Sequence, residues 1–191
     1  MAVGTLRIGM PGLTAEQLVE GAKAYSQEAW GQLYDEYYPR ISEYCFLRIN
    51  NRTVAEDLAS EVFLEALRSI RRYEYRGVPL SAWLYRIARN VTADHIRWSA
   101  RRPTLPLDVD ANHPALHVPD ASESTGAWHD VHAAIRQLTE DQQQVILLRF
   151  FQGLSHNETA AAIGRSPGAV RLLQHRALNA LRKLLPQEVP V

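Results

Sequence analysis

The chain has one cysteine, Cys45, in 191 residues, so no disulfide framework and no cysteine-based zinc site can be drawn; a reducing cytoplasm is expected. No apolar run approaches membrane-spanning length, and Met1 to Leu13 lacks the apolar centre of a secretory signal, which predicts an intracellular protein with no membrane insertion. Alternating β-branched runs are missing, which excludes an extensive sheet. Glycine-rich phosphate loops, nucleophile elbows and paired carboxylates in a plausible pocket are also missing. His113 and His117 are four apart, but Pro114 breaks the helix that would align them, and His129 with His132 lacks a third ligand nearby. Nothing therefore implies an enzyme, a metal or a cofactor. Net charge is the last thing absent, since 21 Lys and Arg balance 21 Asp and Glu.

Local charge is far from zero. Residues 82–102 carry five Arg against Asp94, and 165–183 carry five Lys or Arg and no acid. Between them, 103–128 holds Asp108, Asp110, Asp120 and Glu123 with no base. Segregated charge sets local fields, and two basic segments flanking an acidic one predict two nucleic-acid surfaces. Pro103, Pro106, Pro114, Pro119 and Gly126 with few large apolar residues make 103–128 a linker, because little burial would offset its ordering entropy.

The remaining periodicity is helical, so the expectation is an all-α chain of two small helical domains. A mobile tail at 1–13 precedes a domain at 14–102, and a second domain follows the linker at 129–191. Capping boxes are read at Thr53 to Glu56, Thr139 to Gln142 and Ser155 to Glu158. Stops are read at Gly77 with Pro79, and at Pro103, Gly153, Gly164 and Pro186.

In the helix from Ser81, Trp83, Leu84, Ile87, Ala88, Val91 and Trp98 share one side, while Arg86, Asn90, Ala93 and Arg97 follow one another on another. The first set predicts a buried face and the second a basic stripe for phosphate, although a solvated face has the same pattern. Just before it, Arg71 to Pro79 mixes Arg with Tyr73 and Tyr75, a combination that stacks unpaired bases, or a lid on the core. One helix earlier, Asp57, Glu61 and Glu65 recur every four residues beside the apolar Leu58, Val62, Ala66 and Ile70. Such an acidic ridge repels DNA and suits a protein partner or solvent.

Leu154 to Pro167 reads as helix, glycine turn, second helix, the layout that lays one helix in a major groove. In that second helix Val170, Ala177, Leu181 and Leu184 define an inner face, while Arg171, Leu172, His175, Arg176 and Asn179 point outward. Arg171 suits a guanine edge, Leu172 a thymine methyl or a packing role, and Arg176 a phosphate.

These residues together resemble the extracytoplasmic-function group of bacterial sigma factors. Leu33 to Pro39, Ala55 to Phe63 and Trp83 to Asn90 resemble successive segments of that family's promoter −10 domain. Leu147 to Ser155, Gly168 to Arg171 and His175 to Ala177 resemble its −35 domain. The resemblance implies that Asp57, Glu61 and Glu65 meet core RNA polymerase, and that the Tyr73 to Pro79 loop, with Tyr75 and Arg76, captures an extruded −10 base. It further implies that Arg86, Arg89, Asn90 and Arg97 hold the single-stranded −10 element and upstream duplex, while Arg171, Leu172, His175, Arg176 and Asn179 read duplex −35 DNA. An anti-sigma factor is an implied partner, and the acidic linker would thread the polymerase. A stand-alone helix-turn-helix regulator is the rival, but 30–102 carries no sensing or dimerisation signature. Thr159 and Ala162 depart from the family, standing where large apolar residues are usual, and predict looser packing there.

Overall fold

The computed structural model describes residues 13–74, 79–101 and 125–185. Every element in them is helical, in keeping with the all-α reading: α1 (Ala15–Lys23), α2 (Gln27–Ile49), α3 (Arg52–Ser69), α4 (Leu80–Arg101), α5 (Thr125–Arg136), α6 (Glu140–Ile146), α7 (His156–Ile163) and α8 (Pro167–Leu184). A single 3-10 turn, Ile70–Arg72, closes α3, and α6 runs on through a π-type turn at Leu147–Phe151. There Gln152 N–H donates to the Leu147 carbonyl five residues back, at 3.0 Å.

Local chemistry sets the helix ends. Ser155 Oγ accepts from Glu158 N–H at 3.2 Å while Glu158 accepts from Ser155 N–H at 2.7 Å, the box expected from sequence. Gln142 Oε1 accepts from Thr139 N–H at 3.1 Å. The expected start at Thr53 is two residues late. Asn50 ends α2 in the left-handed region (φ 59°), and Asn51 at once caps α3, its Oδ1 accepting from Val54 N–H at 3.0 Å. Glu56 is thereby left to pair with Arg52 at 3.0 Å rather than with backbone. Gly21 lets α1 and α2 meet closely, since a Cβ there would stand 2.8 Å from Ala29 Cβ.

The first unit packs α2, α3 and α4 around Leu33, Ile41, Tyr44, Cys45, Val62, Leu84 and Tyr85. The second packs α6, α7 and α8 around Val145, Leu147, Leu148, Ile163, Val170 and Ala177. Sequence reasoning read two helical domains joined by a linker; in the structure the two units also pack on each other. Their apolar cores form one continuous cluster, and α7 lies along α4. α5 begins at Thr125, within the last residues of the stretch 103–128 read as linker. Segments 1–12, 75–78, 102–124 and 186–191 lie outside the described residues, and with them residues 1–12 of the tail, 103–124 of the linker and 75–78 of the 71–79 loop. Leu13, assigned to the tail, donates from its N–H to Gln32 Oε1 at 3.2 Å.

The seam between the units is studded with hydrogen bonds. Tyr44 O–H donates to Gln144 Oε1 at 2.5 Å and Tyr85 O–H to Gln152 Oε1 at 2.7 Å. Arg40 Nη2 donates to the Gln152 carbonyl and Arg48 Nη1 to Gln143 Oε1, each at 2.5 Å. His132 Nε2 meets the Leu47 carbonyl at 3.0 Å. Burial pushes the Tyr44 phenol up to about 12 and raises Tyr85 further, so both are neutral donors at any physiological pH. Burial likewise pushes the Cys45 thiol up to about 12, which makes it inert.

Three packing expectations need correction. Trp98, placed on the buried face, is 54% exposed, because the last turns of α4 run beyond the elements that cover its start. Leu184 is exposed for the same reason at the end of α8. Thr159 and Ala162 loosen nothing: both are fully buried, and small side chains there let α7 lie close to its neighbours.

Candidate nucleic-acid interfaces

On α8, Val170, Ala177 and Leu181 turn inward as expected, which aims the opposite face at solvent. Arg171, Leu172, His175, Arg176 and Asn179 are all exposed, Leu172 at 51%. Asn179 Nδ2 lies 3.4 Å from the His175 ring, a contact one helical turn apart. The turn preceding α8 uses Gly164 at φ 69°, with Arg165 N–H donating to the Ala160 carbonyl at 3.0 Å, and Ser166 caps α8 ahead of Pro167. Arg149 was not singled out from sequence. Its Nε donates to Gln174 Oε1 at 3.1 Å and its Nη1 to the Leu154 carbonyl, which braces α6 and the π turn against α8. His156 sits beside it; burial first, then the Arg149 and Arg171 charges, hold its imidazole below the ordinary value. Arg149, His156 and Arg171 thus lie near one another where α7 and α8 start.

On α4, Arg86, Asn90 and Arg97 are exposed in one stripe. Arg97 pairs with Asp94, but both are mostly exposed, and such a pair yields readily to a phosphate. Arg89 is half-buried, with its Nε enclosed and unpartnered among the described residues, so it presents less of its guanidinium than the sequence suggests. Tyr73 is only 7% exposed, its ring centroid 5.2 Å from that of Trp83. It therefore forms a wall rather than a free platform. That wall belongs to an open groove of about 500 Å³ lined also by Ser69, Arg72, Glu74, Ala82, Arg86 and Ala161, one carboxylate among two arginines. Aromatic walls with arginines at the rim suit a planar base joined to a phosphate. Tyr75 and Arg76 lie outside the described residues.

The acidic ridge on α3 stands as expected: Asp57, Glu61 and Glu65 are exposed, and Glu65 lies 3.9 Å from Arg68. Sequence reasoning missed the apolar half of this surface. Leu64 at 53% and Leu67 are exposed beside the ridge, and Tyr34 stacks on Tyr38 at 4.5 Å with its edge toward Phe63. The signal was present as two leucines off the inner stripe. Charges rimming exposed apolar side chains characterise protein interfaces more than solvated faces.

The Sigma-70 region 2 family matches residues 33–102, and the Sigma-70, region 4 family matches residues 134–183. The chain is 41% identical over 177 residues to the ECF RNA polymerase sigma factor BldN of Streptomyces coelicolor, a match covering 90% of this chain and 66% of BldN. It is 34% identical over 160 residues to the RNA polymerase sigma factor CarQ of Myxococcus xanthus, covering 84% of this chain and 91% of CarQ.

The chain belongs to the extracytoplasmic-function sigma factors.

As a sigma factor it directs promoter recognition and transcription initiation, and α4 and α8 fall within regions 2 and 4 respectively. Its fold is similar to that of RpoE in complex with the anti-sigma factor NepR from Bartonella quintana, with TM-score 0.66 and 25% identity over 83% of this chain and 98% of that one. CnrH, solved in complex with the cytosolic domain of CnrY, shares the fold at TM-score 0.69 and 24% identity, over 90% of this chain and 97% of that one. Among the described residues no group of His, Cys, Asp or Glu is placed to hold a metal ion, and no helix is long and apolar enough to cross a membrane.

Proposed function

We propose that this sigma factor docks on core RNA polymerase through the α3 ridge, holds the melted −10 element along α4 and reads the −35 element in duplex form with α8. Asp57, Glu61 and Glu65 supply the docking charge, with Leu64 and Leu67 as the apolar centre. Arg86, Asn90 and Arg97, helped by Arg89, Tyr73, Tyr75 and Arg76, hold the separated strand. Arg171, Leu172, His175, Arg176 and Asn179 contact the −35 duplex. The −10 unit is taken as 14–102 and the −35 unit as 129–191, with 103–128 threading the polymerase between them.

The observation that carries this reading is the pair of exposed basic faces on α4 and α8, each in the sigma region expected to meet one promoter element. Sigma factors act without catalysing a reaction, so no catalytic residue is assigned. An anti-sigma factor is the proposed inhibitory partner, as NepR is the partner of RpoE in its solved complex. The cytoplasm is the proposed compartment, since that is where core polymerase works.

Run-off transcription with purified core polymerase tests the function, and charge reversal tests the docking surface. Asp57→Lys with Glu61→Lys should weaken holoenzyme assembly while changing stability by no more than about 0.5 kcal/mol. Unchanged polymerase affinity would move the docking surface elsewhere.

A further inference from the structure

A second open cleft, also of about 500 Å³, lies where residues of α2, α4 and α6 meet. Arg48 comes to it from α2, Glu140 from α6, and Arg89, Asn90, Asp94 and Arg97 from α4, with Ala93 and Ile96 as its apolar wall. We propose that this cleft is a binding site for a small phosphate-bearing molecule, held through the guanidinium groups of Arg48 and Arg89. Arg89, Asn90 and Arg97 are shared with the −10 stripe, whereas Arg48 and Glu140 have no place in the promoter reading. The site therefore stands or falls separately from that reading.

Three guanidinium groups face two carboxylates in the cleft, and depth decides which charges remain unmatched. The Arg48 side chain is only 5% exposed, and its Nη1 is spent on the neutral Gln143 Oε1 at 2.5 Å. Its carboxylate neighbour, Glu140, stands off at 3.8 Å with a side chain 56% exposed. The Nε atoms of Arg48 and Arg89 are both enclosed without a partner among the described residues. Asp94, the other carboxylate, is taken by Arg97 at the rim, where both are mostly exposed. An enclosed guanidinium keeps its charge, and water has largely been stripped from it, so two of them beside one opening favour an anion.

Phosphate suits this donor set. A guanidinium presents a planar fork that two phosphate oxygens accept together, and two forks at one cleft suit a molecule with two linked phosphates. Glu140 is too far from Arg48 for a hydrogen bond and stands mostly in water, so it can swing aside for the ligand. Exposed pairs such as Asp94 with Arg97 contribute little and yield as readily. The volume is of the size that small ligands fill, and Ala93 and Ile96 offer apolar contact to whatever group the phosphates carry.

Pyrophosphate is the probe, titrated into the full chain near neutral pH with ionic strength held constant by sodium chloride and followed by calorimetry. Saturable binding is expected, and sulfate should bind far more weakly because it spans only one fork. Arg48→Gln should weaken pyrophosphate binding about tenfold or more, the loss of a hydrogen-bonded charge. Glu140→Gln should tighten it about threefold, since a competing exposed carboxylate is removed. Circular dichroism establishes that Arg48→Gln is folded; if it is not, the exposed Glu140→Gln decides alone. Absence of saturable binding, sulfate binding as tightly as pyrophosphate, or a Glu140→Gln protein that binds no more tightly than the parent would each overturn the proposal. So would unchanged affinity in a folded Arg48→Gln protein. A single-stranded −10 oligonucleotide separates the two sources of phosphate: its binding should not depend on Arg48, and a loss parallel to that of pyrophosphate would assign the cleft to the DNA backbone and overturn the proposal.

Discussion

The helices α4 and α8 have similar sequence patterns, each with an apolar stripe, a basic stripe and no compensating acid beyond Asp94, yet the fold treats them differently. α8 rests on its neighbours by one face and shows all five of its candidate reading residues to solvent. α4 is packed against α2, α3 and α7, and of its candidate residues Arg86, Asn90 and Arg97 are exposed, Arg97 in a pair with Asp94, while Arg89 is half-enclosed. Reading a duplex needs rigid projecting side chains that enter a groove. Holding a separated strand needs a surface that walls in a base, and walls come from neighbouring elements. Similar amphipathic helices therefore become different tools according to what is packed beside them.

The largest way to break this comparison is to cut into α4 where it is common property. Leu84, 1% exposed, should cost about 2–5 kcal/mol as Leu84→Ala. Because both units share one core, urea unfolding followed by circular dichroism should remain a single transition at lower denaturant. Two resolved transitions would mean that the units are energetically separate. On α8 the contrasting outcome is expected: Leu172→Ser should leave stability within about 0.5 kcal/mol and change preference at one or two −35 base pairs by about 1–3 kcal/mol. A variant that loses stability but keeps its base preferences would assign Leu172 to packing. Next in size is Arg176→Ala, which should weaken binding to all sequences alike and reduce the slope of log affinity against log salt by about 0.9, one phosphate's worth.

The smallest effect concerns His156. Its imidazole is held below the ordinary value of 6.5, by burial first and then by Arg149 and Arg171, so the unfolded chain binds that proton more readily than the folded one. This contribution therefore favours the folded state above about pH 6.5 and is lost as the pH falls below it. Arg171→Ala removes one of the opposing charges, and the His156 titration followed by NMR should move up toward 6.5. A midpoint that stays put would show that Arg171 does not sense the turn.

Local readings came through from the sequence because they rest on local physics. The spacing from Ser155 to Glu158, the left-handed Gly164 and the inward Val170, Ala177 and Leu181 are each fixed within a few residues. Trp98 and Leu184 failed because periodicity says which way a side chain faces and cannot say whether anything is there to cover it. Thr53 failed because a cap depends on how the preceding helix ends: Asn50 ends α2 in the left-handed region, which puts Asn51 at the start of α3. The seam was invisible for a deeper reason. Tyr44 and Gln144 are 100 residues apart, and neither carries a local pattern that names the other. The same holds for Tyr73, whose partner Trp83 turns an expected stacking platform into a wall. Thr159 and Ala162 were noticed as departures, but their use by a neighbouring helix could not be read from α7 alone.

The π-type turn at Leu147–Phe151 has a consequence for how this stretch tolerates insertion and deletion. It accommodates one residue more than a regular helix would, with the hydrogen bond from Gln152 N–H reaching back five residues. Each residue of a regular helix turns the chain by about 100°, so removing one from 147–151 would let an ordinary helix form while swinging everything downstream out of phase. Phe150, now 54% exposed, and Gln152, now buried and bound to both Arg40 and Tyr85, could not both keep their places. A deletion that local helix propensity would welcome should therefore be among the least tolerated in the chain, and a compensating insertion before Gln152 should rescue it.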